Sequence, residues 1–341
     1  MPFAMLKSLE VQISQIRIIV DTNEELRSKI SSGELSTTSV IDDLYWRRYD
    51  YCSAVLRLYA SFEVFVIDAL QKWLDWIVKN KLPILSESEK AISRYRHGVG
   101  EILKRSNETR FSKINLTVLI DGLASLQNKQ DSPLGIEPIF ATAPNLRFND
   151  VVSVLEALEL SDSSAWLNSF PPLQDCCEVF GSTPESFLKD LVERRNEAAH
   201  GNKMPDDFWS VALIKDAASF ILCLAAAISE LIAYKMITIA EIEPPQSENF
   251  RPLKKIGEVT EIIKKHNAFI ISANAVGLWE GMELLVVTNA RCYVALLSSI
   301  QLNGHKALAW LPGECEEIGL CIGNLPPKNA RIYSLSEIKW L

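Results

Sequence analysis

Three polar residues near the middle of the chain carry the side chains that metal-free phosphodiester cleavage requires. Arg195, Asn196 and His200 lie in the run 191–201, and His200 is one of only four histidines in the chain. Histidine has an unperturbed pKa of about 6.5, so it can take a proton from a ribose 2′-hydroxyl. Arginine stays charged, and its planar guanidinium can hold two phosphate oxygens. The Asn196 amide can donate to a phosphate oxygen or orient the imidazole.

The spacing of Arg195 and His200 is a weak signal by itself. Five positions along a helix rotate by about 500°, which leaves the two positions about 140° apart. Gly201 predicts the end of the helix at His200, so that the histidine can leave the helical path and turn toward the arginine. The alternative interpretation is a pair of cations that only favours the helix dipole.

The elements around this run are predicted to be helical. Gly181-Ser182-Thr183-Pro184-Glu185 is typical of a helix start, with a hydroxyl cap and proline in the first turn. Apolar residues at helical spacing predict further helices, and short breaks between them favour an antiparallel bundle. The predicted helices are 5–30, about 40–81 (one long helix or one broken once), a helix opening at 86–89, 115–126, 149–159, 162–169 and about 208–236, with a loop at 127–149.

The pattern changes after residue 242. Residues 243–252, with two adjacent prolines, predict a linker between a helical domain at 1–242 (core about 40–236) and a β domain at 253–341. Short apolar runs punctuated by glycine predict a small β-barrel. The predicted strands begin at Glu258, Ala268, Met282, Cys292 and Lys306.

Composition limits the function classes. The 341 residues are 48% hydrophobic and have a net charge of −8, which argues against broad DNA binding through a basic surface. A small RNA site is still compatible with this charge. The seven cysteines form no CxxC pair and no zinc spacing, so we expect no metal, no cofactor and small buried thiols in a reducing cytoplasm. Residues 219–229 predict a core helix rather than a membrane span, which needs about 20 residues.

The segment 94–113 is the most basic in the chain. Two interpretations stay open, a solvated helix face and a surface that contacts RNA phosphates. Its cations are Arg94, Arg96, His97, Lys104, Arg105, Arg110 and Lys113.

Two segments together resemble a known superfamily. The run Leu-Val-Glu-Arg-Arg-Asn-Glu-Ala-Ala-His-Gly at 191–201 and the helix containing Tyr59-Ala-Ser-Phe-Glu-Val-Phe resemble HEPN proteins of the RiboL-PSP-like type. The resemblance implies a helical bundle, commonly dimeric, with the arginine–histidine motif at the dimer cleft. It further implies Arg195, Asn196 and His200 as catalytic residues. Glu63 and Lys203 are expected to bind substrate or support the motif, although Glu63 could equally make a helix contact.

The resemblance implies a metal-independent endoribonuclease, a toxin or anti-phage effector that leaves 2′,3′-cyclic phosphate ends. RNA, a second copy of the chain, and an antitoxin or defence-system protein are the expected partners. The alternative is a non-catalytic HEPN module that binds RNA, nucleotide or a partner protein.

The C-terminal segment resembles domain 2 of elongation factor Tu. Lys255-Ile-Gly-Glu-Val-Thr-Glu-Ile, Ala268-Phe-Ile-Ile-Ser and Leu278-Trp-Glu-Gly-Met-Glu-Leu-Leu carry this resemblance, with Met282 inserted between the turn glycine and the acid. It implies a barrel that directs the protein to an RNA or RNA–protein target. The alternative is a β appendage for assembly, and His266 and His305 are expected to be structural.

Overall fold

A computed structural model describes residues 2–35, 42–109, 111–129, 133–143, 145–200, 207–242, 254–273, 276–302, 304–312 and 317–335. The chain divides into two compact units, Met1–Ser229 and Glu230–Leu341. The described residues contain ten α-helices followed by ten β-strands, which confirms the predicted order of a helical bundle and a β domain.

The helices begin where the sequence supplies caps. Asp42, Ser88 and Asn115 each accept a hydrogen bond from a backbone amide in the first turn of the helix that they precede. The helices are α1 (Pro2–Ser31), α2 (Asp43–Lys79), α3 (Glu89–Lys104), α4 (Leu116–Asn128), α5 (Glu137–Phe140), α6 (Phe148–Ala157), α7 (Ser163–Ser169), α8 (Pro171–Val179), α9 (Pro184–His200) and α10 (Val211–Ile242).

Helix α2 is the central element of the first unit. Its 37 residues are unbroken, and its buried face repeats at helical spacing from Tyr51 to Ile77. It packs against α1 and α9. The Trp73 indole donates to the Leu158 carbonyl at 2.9 Å, and the Trp73 and Trp76 rings stack 5.5 Å apart. The aromatic residues of α2 therefore serve mainly as core, as their spacing predicts.

Helix α10 is longer and more apolar than the sequence pattern predicts. By length and composition alone its 32 residues are sufficient to cross a membrane, and half of its most apolar window is buried in the protein. The core helices of soluble proteins pass the same test. Trp166 of α7 donates to the Ala227 carbonyl of α10 at 3.0 Å, so this part of α10 packs inside the bundle.

The second unit contains an antiparallel half-barrel. Eight strands follow the order β5-β4-β10-β1-β2-β9-β6-β7, and β3 pairs with β8. The turn before β4 uses Gly281 at φ +86°, whose amide donates to the Leu297 carbonyl at 2.8 Å, as the predicted glycine–acid turn requires. The strands are β1 (Lys255–Ile263), β2 (Ala268–Ala273), β3 (Leu278–Trp279), β4 (Glu283–Val287), β5 (Cys292–Leu296), β6 (Ser299–Leu302), β7 (His305–Ala307), β8 (Ala309–Trp310), β9 (Glu317–Cys321) and β10 (Arg331–Ser334).

The division between the compact units falls inside α10. The last turns of this helix belong to the second unit, where Glu230 bonds to Arg291 and Glu241 bonds to Arg331 and Tyr333. The predicted linker 243–252 lies outside the described residues. A domain boundary at residue 242 therefore stays a prediction.

Three details differ from the sequence predictions. The sequence pattern does not indicate α8 or the short α5, because their prolines look like breaks, whereas both helices have proline at the first or second position. Proline is tolerated there because the missing amide hydrogen has no partner inside the helix. The strand predicted from Lys306 is two strands, β7 and β8, separated at Leu308.

Candidate functional site

Helix α9 directs Arg195 toward the core of the bundle. Thr183 caps the helix, since its hydroxyl accepts from the Ser186 amide at 3.2 Å. After Pro184 at its start, the buried residues of the described part of α9 are Phe187, Leu188, Leu191 and Val192. Arg195 follows Leu191 by four positions and Val192 by three, so it continues the same face of the helix. The amphipathic pattern of α9 thus delivers a cation to the end of a buried stripe.

Arg195 is held between α2 and the loop before α6. Its Nη2 donates to Asn145 Oδ1 at 2.8 Å, and its Cζ lies 4.2 Å from the centroid of the Tyr59 ring. The Tyr59 hydroxyl accepts from the Leu146 amide at 2.7 Å, so the ring and the loop are joined. Stacking on an aromatic face suits the planar guanidinium. The orientation of Arg195 is therefore fixed on two sides.

The charge of Arg195 is not neutralised by a carboxylate of the described residues. Its partners are an amide oxygen and an aromatic ring. Burial raises the pKa of Tyr59, while the Leu146 amide and Arg195 oppose this shift, so the phenol remains neutral at physiological pH. The Arg195 Nε is buried and has no hydrogen-bond acceptor in the described part of the chain. The Arg195 guanidinium is therefore a cation that no described carboxylate pairs with.

The neighbouring Arg194 is different. It pairs with Asp190 at 2.9 Å and with Asp207 at 3.2 Å, donates to the Tyr51 hydroxyl at 3.3 Å, and lies 5.0 Å from the centroid of the Trp209 ring. Burial opposes the charge of Arg194, but the hydrogen bonds to Tyr51 and Asp190 outweigh it and raise the pKa of the guanidinium. Arg194 joins α9 to α2 and to the start of α10, so its role is structural.

The remaining predicted residues have different positions. Asn196 is half-buried, and its side chain has no hydrogen bond to another described residue. Glu63 is half-buried and follows Tyr59 by one turn of α2; its charge raises the pKa of Tyr59, but it forms no ion pair with Arg195 among the described side chains. Lys203 and Gly201 lie outside the described residues. The roles predicted for these side chains stay predictions.

The backbone of His200 is helical. Helix α9 ends at this residue, as Gly201 predicts, while the histidine side chain lies outside the described part of the structure. The predicted turn of the His200 side chain toward Arg195 stays a prediction. Positions 195 and 200 of one chain are therefore about 140° apart around the helix axis.

Sequence reasoning missed Asn145 and the role of Tyr59. Tyr59 begins the segment that carries the family resemblance, but its helical spacing indicates only a core aromatic residue. Asn145 lies 50 positions before Arg195 in a loop predicted only from its prolines. No periodicity connects a loop residue to a helix so distant in sequence.

The basic segment 94–113 is largely occupied by internal bonds. Arg94 donates to the Ile139 carbonyl at 2.9 Å and to the Ser153 hydroxyl at 2.7 Å. Lys104 and Arg105 pair with Glu101 and Glu108. The exposed cations among its described residues are Arg96, His97, Lys104 and Lys113, and Arg110 lies outside them. These pairs favour a solvated helix face.

Within the described ranges no cluster of three or more His, Cys, Asp or Glu side chains could hold a metal ion.

A comparison with curated proteins finds no match. The family profile described as RiboL-PSP-HEPN matches residues 14–234, from within α1 to within α10, and includes Tyr59, Asn145 and the arginine–histidine motif. The match covers well over half of the chain. The chain therefore belongs to the RiboL-PSP-HEPN family.

Proposed function

We propose that this protein is a metal-independent endoribonuclease of the HEPN type. The observation that carries the proposal is the state of Arg195, a cation oriented by Asn145 and Tyr59 and paired with no carboxylate of the described residues. A structural arginine is normally neutralised, as Arg194 is by Asp190 and Asp207. A charged guanidinium held in one orientation suits the developing charge of a phosphorane.

In the proposed mechanism, His200 removes the proton from the 2′-hydroxyl, and the oxygen attacks the adjacent phosphorus. The P–O5′ bond breaks, and the leaving oxygen receives a proton, from the same imidazole or its counterpart. Arg195 stabilises the charge on the non-bridging oxygens. The Asn196 side chain has no hydrogen bond to the described residues, and it donates to one of these non-bridging oxygens or orients the imidazole. The products are a 2′,3′-cyclic phosphate and a 5′-hydroxyl end.

The test is RNA cleavage in the presence of EDTA by the wild type, Arg195→Ala and His200→Ala. The wild type is expected to cleave with the chelator present, and each substitution is expected to lower the rate at least a hundredfold, about the share of one general base or one charge-stabilising group. Arg105→Ala, which removes a half-buried arginine paired with Glu108, is the matched control and should cleave normally. Cleavage that survives both motif substitutions, or that disappears with EDTA alone, would contradict the mechanism.

We propose further that the enzyme acts as a toxin or anti-phage effector, with an antitoxin or defence-system partner, in the cytoplasm. The support is the family to which the chain belongs. Expression of the wild type is expected to arrest cell growth, and His200→Ala is expected to relieve the arrest. Growth arrest that persists in the His200→Ala variant would show that the toxicity does not depend on the nuclease site, which would contradict this proposal.

A second candidate is a non-catalytic module that binds RNA or nucleotide. One observation favours this function: Arg195 and Asn196 are sufficient to bind a phosphate group without cleaving the phosphodiester. The same variants separate the two functions. A binding module would retain RNA in a filter assay, lose it on Arg195→Ala, and produce no cyclic phosphate in any variant.

A further inference from the structure

Two cysteines distant in sequence contact each other inside the helical unit. Cys176 on α8 and Cys223 on α10 are 47 positions apart, and their Sγ atoms lie 3.2 Å from each other. Both residues are free thiols, and both are half-buried. The sequence predicts only small apolar thiols, because the spacing of these cysteines matches no known motif. The fold places them together.

The packing around the thiols keeps the two helices in place. Phe180, one turn after Cys176, lies 4.3 Å from the Phe187 ring of α9. Phe187 in turn lies 4.1 Å from Phe220, which precedes Cys223 by three positions on α10. These distances join ring centroids. Because the same aromatic contacts fix α8 and α10, the sulfur–sulfur contact is a stable feature of the bundle.

The environment assigns different chemical roles to the two thiols. Burial raises the pKa of Cys223 to about 12, and its hydrogen bond with Cys176 adds to this shift. Cys223 therefore keeps its proton and can donate it to the Cys176 sulfur. The adjacent Cys177 is buried, and burial raises its pKa to about 11. Thiolates are the reactive form of cysteine, so neither Cys223 nor Cys177 is suited to react first.

We propose that Cys176 and Cys223 form an intramolecular disulfide when the protein meets hydrogen peroxide. The Cys176 thiolate attacks the O–O bond and becomes a sulfenic acid, and the released oxygen leaves as water after it takes up a proton. The Cys223 sulfur then attacks the Cys176 sulfur, and the sulfenic oxygen leaves as a second water with the Cys223 proton. The two thiols lose two electrons, and one peroxide is reduced to two waters.

The geometry requires little movement. A disulfide bond is about 2.05 Å long, so the sulfur atoms must approach each other by roughly 1 Å. The resulting link would enclose residues 177–222, a segment that contains all of α9 and the motif. The disulfide would therefore close a covalent loop between α8 and α10 around the segment that carries Arg195.

The test uses the purified full-length protein, treated with hydrogen peroxide and then with a thiol-blocking maleimide. The wild type has seven cysteines and is expected to lose two reactive thiols, with both regained after dithiothreitol. Peptide mapping under non-reducing conditions should find a peptide of α8 joined by a disulfide to a peptide of α10 from the same chain. Cys176→Ser and Cys223→Ser should each abolish this peptide, while Cys52→Ser, at another half-buried thiol, should leave it unchanged.

A further variant distinguishes the two neighbouring thiols of α8. Cys177→Ser is expected to keep the cross-link, because Cys176 supplies the sulfur. Circular dichroism of each variant checks that the serine is tolerated. The proposal is overturned if the wild type keeps all of its thiols, if Cys177→Ser removes the link, if the link joins two chains, or if Cys176 accumulates as sulfinic acid without cross-linking.

Discussion

At the scale of single residues, the orientation of Arg195 depends on Asn145. The amide oxygen of Asn145 accepts from Nη2 at 2.8 Å and leaves the charge of the guanidinium intact. Asn145→Ala removes this acceptor, so Arg195 retains its charge but loses its direction. We expect kcat for RNA cleavage to fall by about ten- to a hundredfold, because small misplacements of a charge-stabilising group reduce rates to this extent. Steady-state kinetics on a defined RNA measures the effect.

Asn149→Ala is the matched control for this prediction. Asn149 lies four positions further along, on α6, and donates to Glu185 at 2.7 Å on the surface. Its loss removes a comparable hydrogen bond without touching Arg195. If both variants lower kcat equally, the effect is a general loosening of the loop, and the role assigned to Asn145 is wrong.

The arginine and the histidine could be found from the sequence, while the groups that orient Arg195 could not. Arg195, Asn196 and His200 lie within six residues of one helix, where spacing carries information. Asn145 lies in a loop, and its position beside Arg195 depends on how whole helices pack against each other. For Glu63 the sequence leaves two roles open, support of the motif and a helix contact, and its role stays a prediction. The described groups that contact the Arg195 guanidinium are a neutral ring and a neutral amide.

At the scale of elements, the end of α10 is attached to β5 by a buried ion pair. Glu230 is 6% exposed and Arg291 28% exposed, and two hydrogen bonds of 2.7 Å join them. The Cys292 amide adds a third bond to Glu230 at 3.0 Å. Neutralising Glu230 weakens two charge-assisted hydrogen bonds to Arg291 in a largely buried position. Glu230→Gln is therefore expected to lower the free energy of unfolding by about 3 kcal/mol, measured by urea unfolding of the full chain.

The double variant Glu230→Leu/Arg291→Met is expected to be less destabilised than the sum of the two single variants, since neither charge is left unpaired. Lys306→Ala supplies the control, because Lys306 and Glu280 form an exposed pair at 3.3 Å, and exposed pairs contribute at most about 1 kcal/mol. A Glu230→Gln variant as stable as Lys306→Ala would show that the pair contributes nothing.

The elements with a clear periodicity could be predicted, and those without one could not. Helices such as α2 and α9 show their buried face in the sequence and begin at residues that cap them. The strands β3, β6, β9 and β10 have two to five residues each, and apolar runs this short do not distinguish a strand from a buried helix segment. Gly319 inside β9 looks like a break, yet it pairs with Gln301 of β6, and a side chain at this position would lie 3.2 Å from the Gln301 Cβ. Such a close approach is visible only in the folded sheet.

At the scale of the whole molecule, the proposed function requires a way for an acidic protein to hold RNA. The net charge is −8, so the long-range field opposes a polyanion, and one arginine compensates little of it. A second copy of the chain would bring a second Arg195 and a second His200 to a two-fold axis. The helical backbone at His200 adds to this argument. Positions 195 and 200 of one α9 are about 140° apart around the helix axis. Arg195 of one chain could therefore approach His200 of the partner chain more easily than His200 of its own chain.

This arrangement predicts that two inactive variants restore each other. Arg195→Ala and His200→Ala, co-expressed with different tags, should assemble into mixed dimers in which one of the two composite sites contains both an intact arginine and an intact histidine. Random pairing makes half of the dimers mixed, so we expect about a quarter of the wild-type cleavage rate. Light scattering must show a dimer, and the mixed dimer isolated by both tags must carry the activity. A dimer without restored cleavage would place both residues of each site in one chain, and a monomer that cleaves RNA would remove the need for a partner.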